Sequence, residues 1–175
     1  METTNRPDVI FSSRYGSETW PTWRWRRTLN MLYKARAQED KKEHVEADPF
    51  WESTELLLRF LILLNDEAVG MATLTKRSNG LGTALIGTVE DVYIHPEYRG
   101  RHLSRFLMEA VLREARKSRL ITLELTSKPR RKEANSLYVS LGFQLVAKAN
   151  SKMGDKATNF YRLSLLPLEK LCIAP

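Results

Sequence analysis

Midway along the chain, a strand pattern passes directly into a helix pattern, and this change of period limits the folds that the chain can adopt. Residues 83–96 read TALIGTVEDVYIHP, which is rich in β-branched and aromatic side chains and ends at a proline, as a β-strand often does. Residues 103–115 then carry apolar side chains three and four positions apart, which predicts one buried face of an amphipathic helix. A strand that leads into a helix through a short loop predicts a mixed α/β fold.

The other elements follow from the same periodicities. Residues 8–13 predict a first strand, and residues 17–46 predict a helical region followed by charged residues. Residues 56–64 and 68–78 predict a β-hairpin, because the turn sequence NDE lies between them. A strand, a second helix that ends at Gly142 and two closing strands complete the chain. The predicted buried face of the second helix consists of Ala134, Leu137, Tyr138 and Leu141. The predicted order is β, helical region, β, β, β, α, β, α, β, β.

Length, composition and charge limit the classes of protein to which this chain can belong. The chain has 175 residues, which fits a single domain over residues 1–175, and 42% of them are hydrophobic, enough to form a core. Its net charge of +7 does not by itself indicate a partner. A nucleic-acid partner is unlikely on these grounds, because the sequence carries no zinc-ligand spacing, RNA-binding aromatic motif or helix-turn-helix pattern.

The single cysteine and the apolar segments predict where the protein resides. Cys172 alone cannot form a disulfide framework or a zinc site, which favours a reducing compartment. The N-terminus lacks the apolar core of a secretory signal, and the longest apolar run, 56–64, is too short to span a bilayer. We therefore expect a cytoplasmic protein with no membrane partner.

The loop between the central strand and its helix is a candidate anion site. It reads YRGRHLSRFL over residues 98–107, and Arg99, Arg101 and Arg105 crowd it. The first turn of a helix presents backbone N–H groups without intrahelical acceptors and the positive end of the helix dipole. Arginines can add charge-assisted hydrogen bonds to phosphate oxygens. A basic turn that binds nothing is the alternative, because many strand-to-helix loops are basic.

Two motifs in order along the chain make the anion site more specific. The first is the strand and loop VYIHPEYRGRHLS, and the second is ANSLYVSLGF at residues 134–143. Together they resemble the GNAT superfamily of acyl-CoA-dependent N-acetyltransferases, with a loop of the form Arg/Gln-x-x-Gly-x-Gly/Ala and a later A-N-x-L-Y-x-x-L-G-F. The resemblance covers roughly residues 56–166. It implies a mixed, mostly antiparallel GNAT-type sheet of about seven strands, flanked by about four helices.

The resemblance also implies a cofactor and the residues that bind it. The co-substrate would be acetyl-CoA, with no metal. The strand backbone would bind the pantetheine arm, the loop would wrap the pyrophosphate, Asn135 would hydrogen-bond the cofactor, and Tyr138 would protonate the departing CoA thiolate. The implied cofactor-binding residues are Val92, Tyr93, Ile94, Arg99, Gly100, Arg101, His102, Leu103, Ser104, Arg105, Asn135 and Tyr138.

The chain departs from the family loop at two positions. Ser104 stands at the Gly/Ala position, and because serine is small the backbone can still approach a phosphate. His102 stands at the central glycine. We expect a negative φ at His102, as at the start of a helix, since a positive φ would strain a residue other than glycine.

A base must take the proton of the acceptor amine, and the central strand offers two adjacent carboxylates. Glu90 is the preferred candidate, acting directly or through water, with Asp91 or water alone as alternatives. Strand alternation would place Glu90 and Asp91 on opposite faces. Glu124 on the following strand is a weaker candidate, for which we expect a structural role.

The resemblance is compatible with two functions and does not identify the acceptor substrate. The first is an N-acetyltransferase in which the amine of a small molecule or protein attacks acetyl-CoA directly, with no covalent enzyme intermediate. The second is a non-catalytic acyl-CoA-binding regulatory module on the same fold. Trp20, Trp23 and Trp25 either line the acceptor pocket or belong to the core. A homodimer, with the tail LPLEKLCIAP packed on a neighbour, is a further alternative.

Overall fold

The computed structural model describes residues 7–12, 22–40, 56–78, 85–150 and 157–165, which form seven strands and three α-helices. The elements are β1 (Asp8–Ser12), α1 (Thr22–Asp40), β2 (Leu56–Leu64), β3 (Glu67–Ser78), β4 (Leu85–Ile94), α2 (Leu103–Lys117), β5 (Thr122–Ser127), α3 (Lys132–Ser140), β6 (Gln144–Ala147) and β7 (Asn159–Ser164). A short 3₁₀ turn, Pro96–Tyr98, lies between β4 and α2. The predicted order of elements is confirmed, with three α-helices in the described residues where about four were expected. The C-terminal tail, Cys172 and Trp20 lie outside these residues.

The strands form one mixed sheet in the order β1-β2-β3-β4-β5-β7-β6. The β1–β2, β2–β3, β5–β7 and β6–β7 pairings are antiparallel, whereas β4 and β5 run parallel. Parallel neighbours need a crossover connection, and α2 supplies it between β4 and β5. The mixed, mostly antiparallel sheet of seven strands is therefore as predicted.

The β2–β3 hairpin closes through a two-residue turn. Asn65 and Asp66 have φ of 50° and 62°, and Leu64 pairs with Glu67. Two-residue hairpin turns of this hand need positive φ at both positions, which Asn and Asp tolerate better than most residues. The turn predicted from the NDE sequence is confirmed.

The chain divides into two compact units. The first unit comprises Met1–Thr75 and Asp91–Arg113, and the second comprises Lys76–Glu90 and Glu114–Pro175. The single domain over residues 1–175 stays a prediction.

In the first unit, one face of α1 is buried in the core. Trp25, Leu29 and Leu32 are four and three residues apart, so they share a face, and all are at least 94% buried. They belong to one hydrophobic cluster with side chains of three strands, namely Leu61, Leu63, Met71 and Tyr93. Trp25 is thus a core residue rather than a pocket residue, and the side chain of Trp23 lies outside the description.

In the second unit, a glycine ends α3. Gly142 has a φ of +92°, its N–H donates to the Val139 carbonyl (3.0 Å), and the Phe143 N–H donates to the Tyr138 carbonyl (3.0 Å). This pair of bonds is the Schellman arrangement, which needs a left-handed residue and so favours glycine. The predicted stop at Gly142 is confirmed.

The buried face predicted for α3 is only partly buried. Tyr138 is buried, while Ala134, Leu137 and Leu141 are half-exposed. The neighbouring strand, β6, is exposed along its whole length at the end of the strand order, so it covers this face poorly.

Candidate active site

One residue interrupts the regular backbone of β4, and we call this position the kink. Its parallel pairing with β5 covers three residue pairs, from Ile86–Thr122 to Thr88–Glu124, although β4 continues to Ile94. Asp91 has a φ of 54°, a left-handed conformation that residues inside a strand rarely adopt. The alternation of burial breaks after this kink, because Tyr93 and Ile94 are both buried.

The side chain at the kink is held by three donors of the first unit. Tyr33 Oη donates to Asp91 Oδ2 at 2.7 Å, and Thr73 Oγ1 lies 3.3 Å from the same oxygen. Arg36 Nη1 forms an ion pair with Asp91 Oδ1. Burial, followed by the nearby negative charge of Asp91, raises the pKa of Tyr33, so the hydroxyl stays a proton donor to this carboxylate.

Past the kink, β4 lies against β3 at a glycine. A Cβ on Gly70 would lie 2.4 Å from Ile94 Cδ1 and 2.5 Å from the carbonyl oxygen of Tyr93, so a side chain would push the strands apart. The N–H of His95 donates to the Val69 carbonyl at 2.8 Å. The last residues of β4 are therefore fixed from both the helix side, through Asp91, and the β3 side.

The loop after β4 contradicts one prediction. His102 has a φ of 58°, not the negative value expected, and Gly100 has a φ of 76°. A helix start needs no left-handed residue in general, but His102 directly precedes α2 and its backbone turns the chain into the helix. Histidine is among the residues that enter the left-handed region more often than most.

The backbone of this loop has features of an anion site. Arg101, between the two left-handed residues, has no positive φ, so the backbone alternates in hand along three residues. Successive N–H groups of residues that alternate in hand can point to the same side, and such backbone nests bind anions. A Cβ on Gly100 would meet nothing within 4 Å, so glycine is required there for its φ rather than for space.

The first turn of α2 adds backbone N–H donors to the candidate anion site. The N–H groups of Arg105 and Phe106 donate to the His102 carbonyl at 3.1 and 3.2 Å. The amides of Leu103 and Ser104 precede the first intrahelical bond of α2, so the helix itself supplies them no acceptor. The candidate anion-binding amides are those of residues 100–104, whereas the amide of Arg105 already donates to the His102 carbonyl.

The three loop arginines differ in their surroundings. Arg99 Nη1 and Nη2 pair with the Glu39 carboxylate at 2.9 and 2.6 Å, and Arg99 Nε donates to the Ile94 carbonyl at 3.0 Å. Its guanidinium therefore joins the loop to the end of α1 and to the end of β4. This arrangement favours a role in shaping the loop over the predicted phosphate contact.

The other two arginines have weaker contacts. Arg101 Cζ lies 5.5 Å from the centre of the Tyr98 ring, and Arg105 Nη1 lies 3.9 Å from Glu109 Oε1. Both contacts are on the surface, where a cation–π contact contributes about 0.5–1 kcal/mol and an ion pair about 0–1 kcal/mol.

In the second unit, the residues of the later motif have distinct environments. Tyr138 is 5% exposed, and its ring lies 6.1 Å from the Phe143 ring and 5.9 Å from the Tyr161 ring. Asn135 Nδ2 donates to the Lys128 carbonyl at 3.1 Å, while Asn135 Oδ1 is buried without a hydrogen-bond partner. A buried acceptor of this kind is costly unless a ligand supplies a donor, which fits the implied cofactor contact.

The carboxylates considered as bases fall into three environments. Glu90 is exposed. Asp91 is held by its three donors. Glu124 is buried between Arg77 (2.9 Å) and Arg162 (2.8 Å), which agrees with the structural role expected for it.

The model of the acetyltransferase (GNAT) family matches residues 19–143. The chain belongs to the GNAT family. No curated protein matches it.

Solved structures share the GNAT fold at low sequence identity. A Lactobacillus plantarum protein has a TM-score of 0.69 and 18% identity, covering 93% of this chain and 100% of its own. A Salmonella typhimurium protein, solved with its cofactor acetyl-CoA, has a TM-score of 0.69 and 17% identity, with coverages of 91% and 94%. An Arabidopsis thaliana protein, in complex with the bisubstrate analogue CoA-Ac-MVNAL, has a TM-score of 0.66 and 14% identity, with coverages of 90% and 99%.

Among the described residues of this GNAT protein, no three His, Cys, Asp or Glu side chains are grouped as a metal ion would need. No described helix is long and apolar enough to cross a membrane.

Several residues that shape the site were absent from the predictions. Tyr33, Arg36 and Thr73 reach Asp91 from distant positions in the sequence, and no local pattern marks such contacts. Gly70 had a usable signal, because glycine inside a strand often marks a close approach of another backbone.

Proposed function

We propose that this GNAT-family protein transfers the acetyl group of acetyl-CoA to an amine by direct attack, with no covalent enzyme intermediate. The observation that carries the proposal is that two left-handed residues, Gly100 and His102, lead into the start of α2, whose first amides have no acceptor within the helix. An anion at this position gains hydrogen bonds and the helix dipole together. The pyrophosphate of CoA is an anion with this requirement.

Cofactor binding in this proposal uses mainly backbone. The amides of residues 100–104 hold the pyrophosphate, and Arg101 and Arg105 supply charge from the rim. The backbone of Val92, Tyr93 and Ile94 binds the pantetheine arm, as a strand edge binds an added strand. The short β4–β5 ladder supports this assignment, because it ends before these residues.

The chemistry in this proposal uses side chains. When bound, acetyl-CoA supplies a thioester that an amine nitrogen can attack, with release of the CoA thiol. Tyr138 gives its hydroxyl proton to the departing thiolate, and the buried Oδ1 of Asn135 accepts a hydrogen bond from the cofactor. The burial of Tyr138 supports its role, because a proton donor in a site that excludes water competes with no solvent.

Glu90 is the proposed base, directly or through water. An alkyl amine has a pKa near 10.4, so it is almost wholly protonated at neutral pH and must lose a proton to attack. Glu90 is exposed, and therefore accessible to an amine or a water. Asp91 is the alternative carboxylate, and Tyr33 and Arg36 hydrogen-bond to its two oxygens.

A turnover assay tests the proposal. The purified protein is mixed with acetyl-CoA and a panel of primary amines that includes amino acids, polyamines and peptides, and free thiol is measured. Acetylated amine and stoichiometric thiol are expected with at least one class. The same assay with Tyr138→Phe checks that the turnover belongs to this site.

A binding measurement separates the two candidate functions. Calorimetric titration is run with CoA and with pantetheine, which lacks the pyrophosphate. Binding of CoA that is much tighter than that of pantetheine, without turnover on any amine, would favour the acyl-CoA-binding regulatory module. A protein that does not bind CoA would overturn both candidates.

A further inference from the structure

The left-handed kink at Asp91 and its hydrogen-bond partners have no part in the chemistry described so far. We propose that Tyr33 and Arg36 are positioning residues: through Asp91 they hold the kink of β4 and so fix the strand edge, Val92–Ile94, that binds the pantetheine arm. The cofactor half of this inference rests on the proposed function. The role of Asp91 is then conformational rather than that of a base.

The backbone geometry at Asp91 requires support. A left-handed conformation is unfavourable for L-residues other than glycine, less so for aspartate than for most, and inside a strand it persists only where its surroundings fix it. Asp91 is also where the burial pattern of β4 changes, since Glu90 is exposed and Tyr93 and Ile94 are both buried.

The contacts at Asp91 supply this support from two elements. Tyr33 and Arg36 lie three residues apart on α1, so they share a face of the helix, and each binds a different oxygen of the carboxylate. Thr73 approaches from β3. A planar carboxylate held at both oxygens has little freedom to turn, and the backbone that carries it is fixed in consequence.

The residues beyond the kink show where this effect is transmitted. Gly70 brings β3 against Tyr93 and Ile94, and Val69 accepts a hydrogen bond from His95. Arg99 Nε then binds the Ile94 carbonyl. The segment from Asp91 to Arg99 is therefore fixed at both ends, and a shift at Asp91 changes the direction of the backbone groups of Val92–Ile94.

Two substitutions at one position test the kink. Asp91→Gly and Asp91→Ala both remove the carboxylate, but only glycine adopts the left-handed backbone readily. We expect Asp91→Ala to bind CoA roughly tenfold more weakly than Asp91→Gly, the ratio that a strained left-handed residue implies. Equal affinities of the two variants would overturn the inference, because the charge alone would then account for the loss.

Substitutions of Arg36 test the positioning role. Arg36→Gln should raise the KM for acetyl-CoA and the Kd of CoA while changing kcat less, and Arg36→Lys, which keeps the ion pair, should recover most of the affinity. In the Asp91→Gly background, Arg36→Gln should have no further effect on the Kd. A loss of the same size in both backgrounds would show that Arg36 acts other than through Asp91.

Thermal unfolding without cofactor separates the inference from the proposed function. If the kink needs support, Asp91→Ala should melt below Asp91→Gly whether or not the protein binds CoA. A parent protein that binds no CoA would overturn the proposed function and the cofactor half of the inference, while the order of melting temperatures would still decide the kink. Equal melting temperatures of Asp91→Ala and Asp91→Gly would contradict the inference that the kink needs support.

Discussion

The loop at residues 99–105 and the helix α3 carry the two motifs of the family. The candidate functional groups are backbone atoms in the loop and side-chain atoms in α3. In the loop, two left-handed residues lead into the start of α2, and the groups of interest are the backbone N–H groups of residues 100–104. In α3, the groups of interest are the side chains of Tyr138 and Asn135, one buried among aromatic rings and one bonded to the preceding loop.

The contrast explains why the loop departs from the family pattern and α3 does not. A backbone N–H is present whichever side chain the residue carries, so His102 and Ser104 are tolerated where the pattern has small residues. The hydroxyl of a tyrosine has no backbone equivalent. We therefore expect the loop to be sensitive to the size and conformation of its residues, and α3 to be sensitive to single atoms.

The largest effect is expected from bulk in the loop. Ser104→Trp should abolish measurable CoA binding, because an indole beside the first amides of α2 would occupy the space of the pyrophosphate. Ser104→Ala is the matched control and should bind CoA as the parent does. Calorimetric titration measures both, and tight binding to the tryptophan variant would show that the anion site is misplaced.

Removal of one oxygen in α3 comes next. Tyr138→Phe should lower kcat by a factor near the low end of about 10²–10⁴, since a thiolate is a good leaving group that needs little acid assistance. CoA affinity should be nearly unchanged, because the interaction arises as the reaction proceeds. Tyr161→Phe removes a hydroxyl from another buried tyrosine whose ring contacts Tyr138, and it should keep kcat. Pre-steady-state assays measure the rate constant of the acetyl-transfer step itself. Equal rate constants for the two variants would remove Tyr138 from the mechanism.

A smaller effect is expected at Glu90, which belongs to neither motif. Glu90→Gln should lower kcat/KM by less than about 10²-fold, because water can carry the amine proton in its place. The acidic limb of the pH profile should move, since that limb reports the base of the free enzyme. Glu133→Gln, an exposed carboxylate of α3, is the control. A profile of unchanged shape on a folded variant would exclude Glu90 as the base.

The smallest effect is expected at His102, where the side chain matters only through its backbone. His102→Gly should change the free energy of unfolding by less than about 1 kcal/mol, because relief of the left-handed strain offsets the greater freedom of glycine in the unfolded chain. His102→Val should cost roughly 1–2 kcal/mol, since a branched residue resists positive φ. Thermal and urea unfolding measure both. Equal stabilities would contradict the strained geometry.

Sequence reasoning reached the element order and the turns because these depend on local patterns. The period change at β4, the glycine that ends α3 and the Asn–Asp hairpin turn each act within a few residues. The buried face of α1 was also predictable, since helical spacing selects Trp25, Leu29 and Leu32.

The remaining features depend on contacts between distant segments. The φ of His102 depends on how the loop turns into α2, and the pattern of the neighbouring residues does not determine it. The kink at Asp91 interrupts the strand alternation that was used to separate it from Glu90. Its partners on α1 and β3 are 58, 55 and 18 residues away in the sequence, too far for any local rule.

The most direct test of a backbone anion site is a titration of ¹⁵N-labelled protein with CoA, followed by the amide resonances. The largest proton shifts should occur at Gly100, Arg101, His102, Leu103 and Ser104, whose N–H groups would gain charge-assisted hydrogen bonds. The same titration with pantetheine should leave these five amides nearly unmoved, because it lacks the pyrophosphate. Resonances of residues 100–104 that stay in place under saturating CoA, while others shift, would contradict the account.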